Sequence, residues 1–396
     1  MKLSFLLVIA LLFLAFPAQA GEAVPPTATP QTALPFHKGI NLSSWLANAP
    51  RQPVYARDMA QIKQAGFDHV RLPFNPEYYG FKMSAEGGDL SHMDFTALDR
   101  AIAMAGQYGL PVILDLHPGG DLVETLEQYP WAEAQYTALW KTLAERYRAI
   151  PDDALSFELL NEPQYYRAEA RWTRLTERLL ATIRALSPTR TVVIGAPHGS
   201  EIDGLPYLQP VTDDHVIYSF HFYEPYIVTH QGIHMGFEDK MIRAFRNLPY
   251  PSDLANKAAS FYAPNANNAA QAQNEFYDYI SAPWDAEYMA SRIKIAQDWA
   301  TAHHVQIVCG EFGALRNHID PASRYRWIHD ARAAMDAGGI GWEIWDYTDL
   351  FGIAVPVGAT TTDKVDGSVR LNDPDKGSRA FEPAALTALG LPAEAK

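Results

Sequence analysis

The chain has 396 residues, 48% of them apolar and 12% aromatic, which is enough to bury a large core without help from cross-links. Its 32 Lys and Arg stand against 46 Asp and Glu, a formal charge of −14 with no basic stripe, and this excludes nucleic acid and anionic membrane as natural partners. The one cysteine, Cys309, excludes an internal disulfide, and its apolar surroundings favour a buried small hydrophobe over a nucleophile.

In chain order, Lys2, the apolar run Leu6 to Phe16 and the small-x-small site Ala18-Gln19-Ala20 predict a cleaved signal peptide over residues 1–20. No later stretch approaches the roughly 20 apolar residues of a membrane span. No cysteine lies near the cleavage site to carry a lipid. The expected product starts near Gly21, is secreted or periplasmic, and has no membrane partner. Residues 21–35, rich in Pro, Ala and Thr, read as a disordered tether. Residues 36–396 are expected to form one catalytic domain.

Strand-like runs follow at Lys38–Leu42, His69–Phe74, Val112–His117, Leu155–Asn161, Val192–Ala196, Val216–Tyr223, Val305–Glu311 and Trp342–Trp345. Helical spacing separates most of them. It appears in Met59, Ile62 and Ala65 before Gly66; in Tyr136, Leu139, Trp140, Leu143 and Tyr147; and in Trp172, Leu175, Leu179 and Ile183. It returns in Met289, Ile293 and Ala296, and in Tyr325, Ile328 and Met335. The connection around Gly204 to Asp214 is too short and proline-broken for a full helix. Eight strands in β/α alternation predict an α/β fold, a single-domain (β/α)8 TIM barrel. No Gly-x-Gly-x-x-Gly follows the first strand, which disfavours a dinucleotide fold. Glu224 to Pro283 is a long insertion after strand 6, with a candidate helix near Asp239–Arg246 and an Asn/Ala-rich patch, Asn265 to Asn274. It is expected to wall the substrate cleft.

The carboxyl ends of parallel barrel strands share one face, so residues distant in sequence converge there. Those ends carry Arg71, His117, Asn161, Glu162, His221, Tyr223, Glu311 and Trp345. Glu162 and Glu311, about 150 residues apart, each close an apolar run, and two such carboxyls are what hydrolysis of a glycosidic bond requires. The motifs are Gly39-Ile40-Asn41-Leu42-Ser43-Ser44-Trp45, Val70-Arg71-Leu72-Pro73-Phe74, Asp115-Leu116-His117, Leu160-Asn161-Glu162-Pro163, His221-Phe222-Tyr223, Gly310-Glu311-Phe312-Gly313 and Trp342 to Tyr347. Together they resemble glycoside hydrolase family 5, the cellulase family of clan A.

That resemblance implies a retaining β-glycosidase, endoglucanase-like, with Glu162 as acid/base and Glu311 as nucleophile. It implies support from Arg71 and Tyr223 at Glu311, from Asn161 at the sugar 2-hydroxyl, and from Trp345 as a platform. His117 and His221 would bind sugar hydroxyls or orient Tyr223. No cofactor and no metal are expected, and the partner is a β-glucan or related polysaccharide bound by a monomer. The preferred substrate, β-1,4-glucan, rests on family frequency. β-Mannan, xyloglucan and exo-acting β-1,3-glucan hydrolysis share the same residues, and an envelope-glucan transglycosylase or a non-hydrolytic glycan-binding barrel are readings from other classes.

Strand alternation adds a second layer: His69, Asp115, Glu158 and Glu343 should lie beneath Arg71, His117, Glu162 and Trp345 as a paired polar stratum. Weaker signals are His230 and His234, spaced for a metal without an evident third ligand, and Trp45, Tyr78, Tyr79 and His198, which follow strands and could line outer sugar subsites.

Overall fold

The computed structural model describes residues 35–47, 53–232, 245–257, 269–357, 361–363, 369–371 and 378–393. The expectations for residues 1–34, for His234, and for most of the Asp239–Arg246 helix fall outside them. β1 (Lys38–Asn41), β2 (His69–Phe74), β3 (Val112–Leu116), β4 (Leu155–Glu158), β5 (Val192–Gly195), β6 (Val216–Phe222), β7 (Gln306–Phe312) and β8 (Gly341–Ile344) pair in sequence order, all parallel, and β8 closes on β1. This is the expected (β/α)8 barrel.

Helices Ala56–Ala65, Pro130–Tyr147, Glu169–Arg184, Ala286–His303 and Pro321–Ala337 carry the five predicted apolar stripes. Gly66 ends the first of them at φ 100°, a left-handed position that glycine takes without a Cβ clash. The proline-broken link after β5 forms only a short 3-10 turn, Ile202–Tyr207. Among the described residues no helix is long and apolar enough to cross a membrane.

Two regions differ from expectation. Part of the Asn/Ala-rich patch forms the start of a helix, Ala269–Ser281, inside the insertion after β6. Between β8 and the last helix, Pro383–Ala388, the chain makes two small antiparallel pairs, β9 (Ala354–Pro356) with β12 (Arg379–Phe381) and β10 (Thr361–Asp363) with β11 (Val369–Leu371). Arg379 on β12 reaches Asp58, whose other oxygen accepts from the Tyr347 hydroxyl at 2.6 Å, so this excursion is tied to the barrel through a buried ion pair.

The barrel interior is apolar below and polar above. Phe36, Ile113, Val193, Ile217 and Val308 fill its lower end. The outward faces, with Leu72, Leu114, Phe157, Tyr218 and Cys309, pack under the helices, so Cys309 is a core residue as expected. Gly39 lies where a Cβ would come within 2.3 Å of His69 Nε2, so the bare backbone leaves room for the polar stratum.

One irregularity aims the site. Against β6, Phe220 pairs with Cys309 and His221 with Glu311; against β8, Cys309 pairs with Trp342 and Phe312 with Ile344. The extra residue is a bulge at Gly310–Glu311. In a regular strand Glu311 would share the outward face of Cys309, two residues earlier. The bulge turns it inward. Gly310 also has no room for a side chain, because a Cβ would meet Ser219 Oγ at 2.6 Å and His221 Nε2 at 3.4 Å. Gly310→Ala is expected to lower urea-unfolding stability by about 1–3 kcal/mol and to reduce turnover, because the clash with Ser219 Oγ shifts the bulge that aims Glu311. Both are measurable on the purified variant, and unchanged values would contradict the constraint.

Candidate active site

All eight sequence-predicted residues lie at the carboxyl end of the barrel, and their side chains form one connected network. Arg71, fully buried, is its centre. Its guanidinium donates to both oxygens of Glu158 (2.7 and 2.9 Å), to Glu311 Oε1 (2.8 Å), to Asn41 Oδ1 (2.9 Å) and to Asn161 Oδ1 (3.0 Å), and lies 3.0 Å from Asp115 Oδ2. Burial alone would weaken this cation, but Asp115, Glu158 and Glu311 together raise its pKa well above the usual value. Only a planar fork with five donors can serve so many acceptors at once.

The Tyr223 hydroxyl donates to Glu311 Oε2 at 2.8 Å, so each oxygen of Glu311 accepts one protein donor. Burial pushes the Glu311 carboxyl up, His221 and Arg71 pull it back, and the charge of Glu162 raises it again. Glu162 is also raised by its removal from water, opposed by His117 and Arg71. The two carboxyls differ in access: the Glu162 side chain is 41% exposed and that of Glu311 only 4%. Glu162 therefore faces the cleft while Glu311 forms its floor. β4 ends at Glu158, earlier than the predicted Asn161, and Glu162 takes φ 44°. Tyr136 Oη and Trp140 Nε1 both donate to the Leu159 carbonyl as the chain leaves the sheet. Such backbone strain concentrates at functional sites.

His221 Nδ1 lies 3.1 Å from Glu162 Oε1 and 3.6 Å from Glu311 Oε2. Its contacts are with the two carboxyls. Burial drops its pKa to about 3, against the pull of Glu311, so it is a neutral imidazole. His117 is likewise lowered by burial. The hydrogen-bond network assigns its tautomer: Nδ1 donates to Asp115 Oδ2 at 2.8 Å, and Nε2 accepts from Asn161 Nδ2 at 3.3 Å. Trp345 stacks on the His117 ring, centroids 5.7 Å apart and planes within 15°, and is thereby held at the rim.

The polar stratum is present and paired. Glu158 and Asp115 bond to Arg71, and buried His69 lies 2.5 Å from Asp68 and 3.4 Å from Glu343. Burial lifts Asp115 and Glu158 to about 7 each in spite of Arg71. Burial disfavours the His69 cation, but Asp68 and Glu343 hold its pKa up to about 9. All three folded pKa values stand above their unfolded ones. The stability they give is complete below the unfolded values, about 4 for the acids and 6.5 for histidine, and is lost as pH rises through about 7 and about 9. Calorimetry should show a higher Tm at about pH 5.5 than at about pH 9.5. The reverse order would contradict these protonation states.

Sequence reasoning gave no role at this site to four residues that the structure brings to it. Asn41, at the end of β1, donates to the Gly310 carbonyl (3.0 Å) and so braces the bulge while bonding Arg71. Asp346, buried behind Trp345, accepts from the Ser43 hydroxyl, and burial raises it well above a normal carboxyl. His230 and Phe351 pack edge-on to Tyr223 at 5.1 and 5.8 Å. The first two sit in motifs at strand ends, a usable signal; His230 stands out in the sequence only by its spacing from His234, and Phe351 by nothing. Of the weaker candidates, His230 caps the short helix Tyr226–Thr229 in this aromatic cluster, and Tyr79 is buried against Phe74. Among the described residues, the acid/histidine group close enough to ligate a metal is Glu162, His221 and Glu311, where the Arg71 cation already occupies an oxygen of Glu311.

A closed (β/α)8 barrel with a carboxyl pair at the ends of strands four and seven belongs, as a class, to the glycoside hydrolases. Comparison with known proteins narrows this: the family Cellulase (glycosyl hydrolase family 5) matches residues 31–350, and the chain belongs to that family. Endoglucanase C of Acetivibrio thermocellus is 27% identical over 335 residues, covering 80% of this chain and 92% of the relative. Cellodextrinase A of Ruminococcus flavefaciens is 29% identical over 212 residues, 49% of this chain and 60% of the relative. In three dimensions the chain resembles Thermotoga maritima Cel5A, solved with cellobiose, at a TM-score of 0.67 and 23% identity, covering 89% of this chain and 97% of that one. The protein is a glycoside hydrolase.

Proposed function

We propose that the chain is an exported, monomeric endo-β-1,4-glucanase that acts with retention by double displacement. The observation that carries this reading is that one oxygen each of Glu162 and Glu311 lie within 4.8 Å of one another. Retaining enzymes hold their two carboxyls about 5–5.5 Å apart, whereas inverting ones leave about 6.5–9.5 Å for a water. Glu311 attacks the anomeric carbon while Glu162 delivers its proton to the departing oxygen. Two donors fix Glu311 as the anion, so the proton shared by the pair resides on the exposed Glu162. Once the ester forms, Glu311 no longer carries a charge, and Glu162 takes a proton from the incoming water. Asn161 keeps an amide N–H for the sugar 2-hydroxyl, since Arg71 and His117 use its other groups. Trp345 supplies the apolar face beneath the ring, and neutral His117 and His221 avoid adding positive charge beside a developing oxocarbenium ion.

A glucan substrate is supported by the relatives' names, Endoglucanase C and Cellodextrinase A, its β-1,4 linkage by frequency in the family, and export by the sequence of residues 1–20, with 21–35 as a tether to the catalytic domain 36–396. The test is a panel of mixed-linkage glucan, carboxymethylcellulose, xyloglucan, glucomannan and laminarin. Fast viscosity loss on the first two is expected, with the new anomeric centre appearing first as β by proton NMR. An initial α product would reject retention, and slow viscosity loss with early small sugars would reject endo action.

A further inference from the structure

Three charged side chains converge on one short stretch of backbone after β8, and none of the roles above uses them. Arg324, from the helix Pro321–Ala337, is buried and donates to the carbonyls of Phe351 (2.7 Å), Gly352 (3.0 Å) and Ala314 (2.9 Å). Arg316, in the loop after β7, also donates to the Gly352 carbonyl, and its backbone N–H donates to the Leu350 carbonyl at 2.8 Å. Both guanidiniums lie 3.1 Å from the same oxygen of Glu382, Oε2. Glu382 directly follows β12, and its backbone N–H donates to the Ile353 carbonyl at 2.9 Å.

Two cations side by side in a poorly hydrated site repel each other. Burial and the Arg324 charge both weaken Arg316, and Glu382 opposes them. Carbonyl dipoles offer only partial charge, so the full carboxylate is what lets two arginines grip the same loop. The backbone held in this way carries a ring that the site uses. Phe351 packs edge-on against Tyr223, centroids 5.8 Å apart, and against His230 at 5.1 Å, and it shares a buried cluster with Tyr223 and Leu315. Gly313 gives this packing its room, since a Cβ there would already meet Phe351 Cδ1 at 3.4 Å. Tyr223 in turn places its hydroxyl 2.8 Å from Glu311 Oε2.

Resting on the reading of Glu311 as nucleophile, we infer that Glu382 is a positioning residue for it. By balancing Arg316 and Arg324 it fixes the backbone of Phe351, whose ring keeps the Tyr223 hydroxyl on the Glu311 carboxylate. The effect has a sign. A hydroxyl held at Oε2 stabilises the anion, which is the form that attacks, so a Tyr223 ring free to tilt leaves Glu311 harder to ionise. Arg71 from β2, His117 after β3, Glu162 after β4, His221 on β6 and Asp346 after β8 also face Glu311 and set the rest of its charge balance. The C-terminal segment thus acts on the chemistry through one ring and one hydroxyl.

The test is the pH profile of kcat/KM on 2,4-dinitrophenyl β-cellobioside. Its acidic phenol departs unassisted, so the acid limb reports the ionisation of Glu311 in the free enzyme. Profiles are taken well below each variant's Tm, where a loss of stability alone does not move the limb. Tyr223→Phe, which removes the hydroxyl, should shift the limb upward by about one pH unit. Phe351→Ala and Glu382→Gln should each shift it the same way by about half a unit. Combining either with Tyr223→Phe should add nothing, since all three act through one hydrogen bond. If Glu382→Gln does not fold, Arg316→Gln with Glu382→Gln, which removes one charge of each sign, takes its place with the same expected shift. Wild-type limbs in the Phe351 and Glu382 variants beside a shifted Tyr223→Phe would overturn the positioning role, as would fully additive shifts. An unshifted Tyr223→Phe would remove the premise that Tyr223 holds the Glu311 anion, and the inference with it. A wild-type protein that does not cleave the substrate would instead remove the hydrolase reading itself.

Discussion

Glu311→Ala is expected to lower kcat on a soluble β-glucan by at least about 10⁴-fold, because it removes the proposed nucleophile and with it the proposed covalent route. The protein should still fold, since the change leaves one Arg71 N–H and the Tyr223 hydroxyl without an acceptor but strands no buried charge opposite them that Glu158 and Asp115 do not already balance. Glu162→Ala should behave differently. Loss of a general acid removes about 10²–10⁴-fold where the leaving group is a sugar, but far less where it is an acidic phenol that departs unassisted. Steady-state rates on cellohexaose and on the dinitrophenyl glycoside separate the two roles. A Glu311→Ala enzyme within tenfold of wild type would sink the assignment, and equal losses on both substrates in Glu162→Ala would remove its role as acid.

The second large effect is on stability. Arg71→Met is expected to destabilise the fold by about 3–5 kcal/mol, the usual result of stripping the partner from a buried charge. The guanidinium is fully buried and serves Glu158, Asp115 and Glu311 together. Arg71→Lys should recover little, because an ammonium cannot reproduce the fork that reaches Glu158, Asn41 and Asn161. The variant should also have a sharper pH dependence. Asp115 and Glu158 already titrate near 7 with Arg71 present; without it their folded pKa values rise further. A raised folded pKa confers stability below the unfolded value that disappears with rising pH, so the loss should be smallest near pH 5 and largest above about pH 8. Urea unfolding at those two pH values tests this. A loss below about 1 kcal/mol at both would show that Arg71 does not hold the stratum together.

Much of this protein was legible in one dimension. The eight strand runs are apolar and bounded by turns, and β2, His69–Phe74, matches its predicted limits at both ends. The site was legible because a parallel barrel sends every strand's carboxyl end to one face, so Arg71, Glu162, Tyr223 and Glu311 could be grouped without coordinates. Period-two alternation likewise reached Asp115, Glu158 and His69. What escaped has a local cause in each case. β9 to β12 are three-residue strands, too short to show a period.

Sequence by itself determined which residues are chemical and which end of the barrel holds them, since both depend only on residue type and strand order. Tertiary structure decided where they point and in what state. Alternation alone sends Glu311 outward beside Cys309; a bulge at Gly310, possible only with no Cβ against Ser219, turns it in. The protonation of Glu162, His117, His221 and Asp115 depends on burial and on the distance to Arg71, and neither exists until the chain has closed.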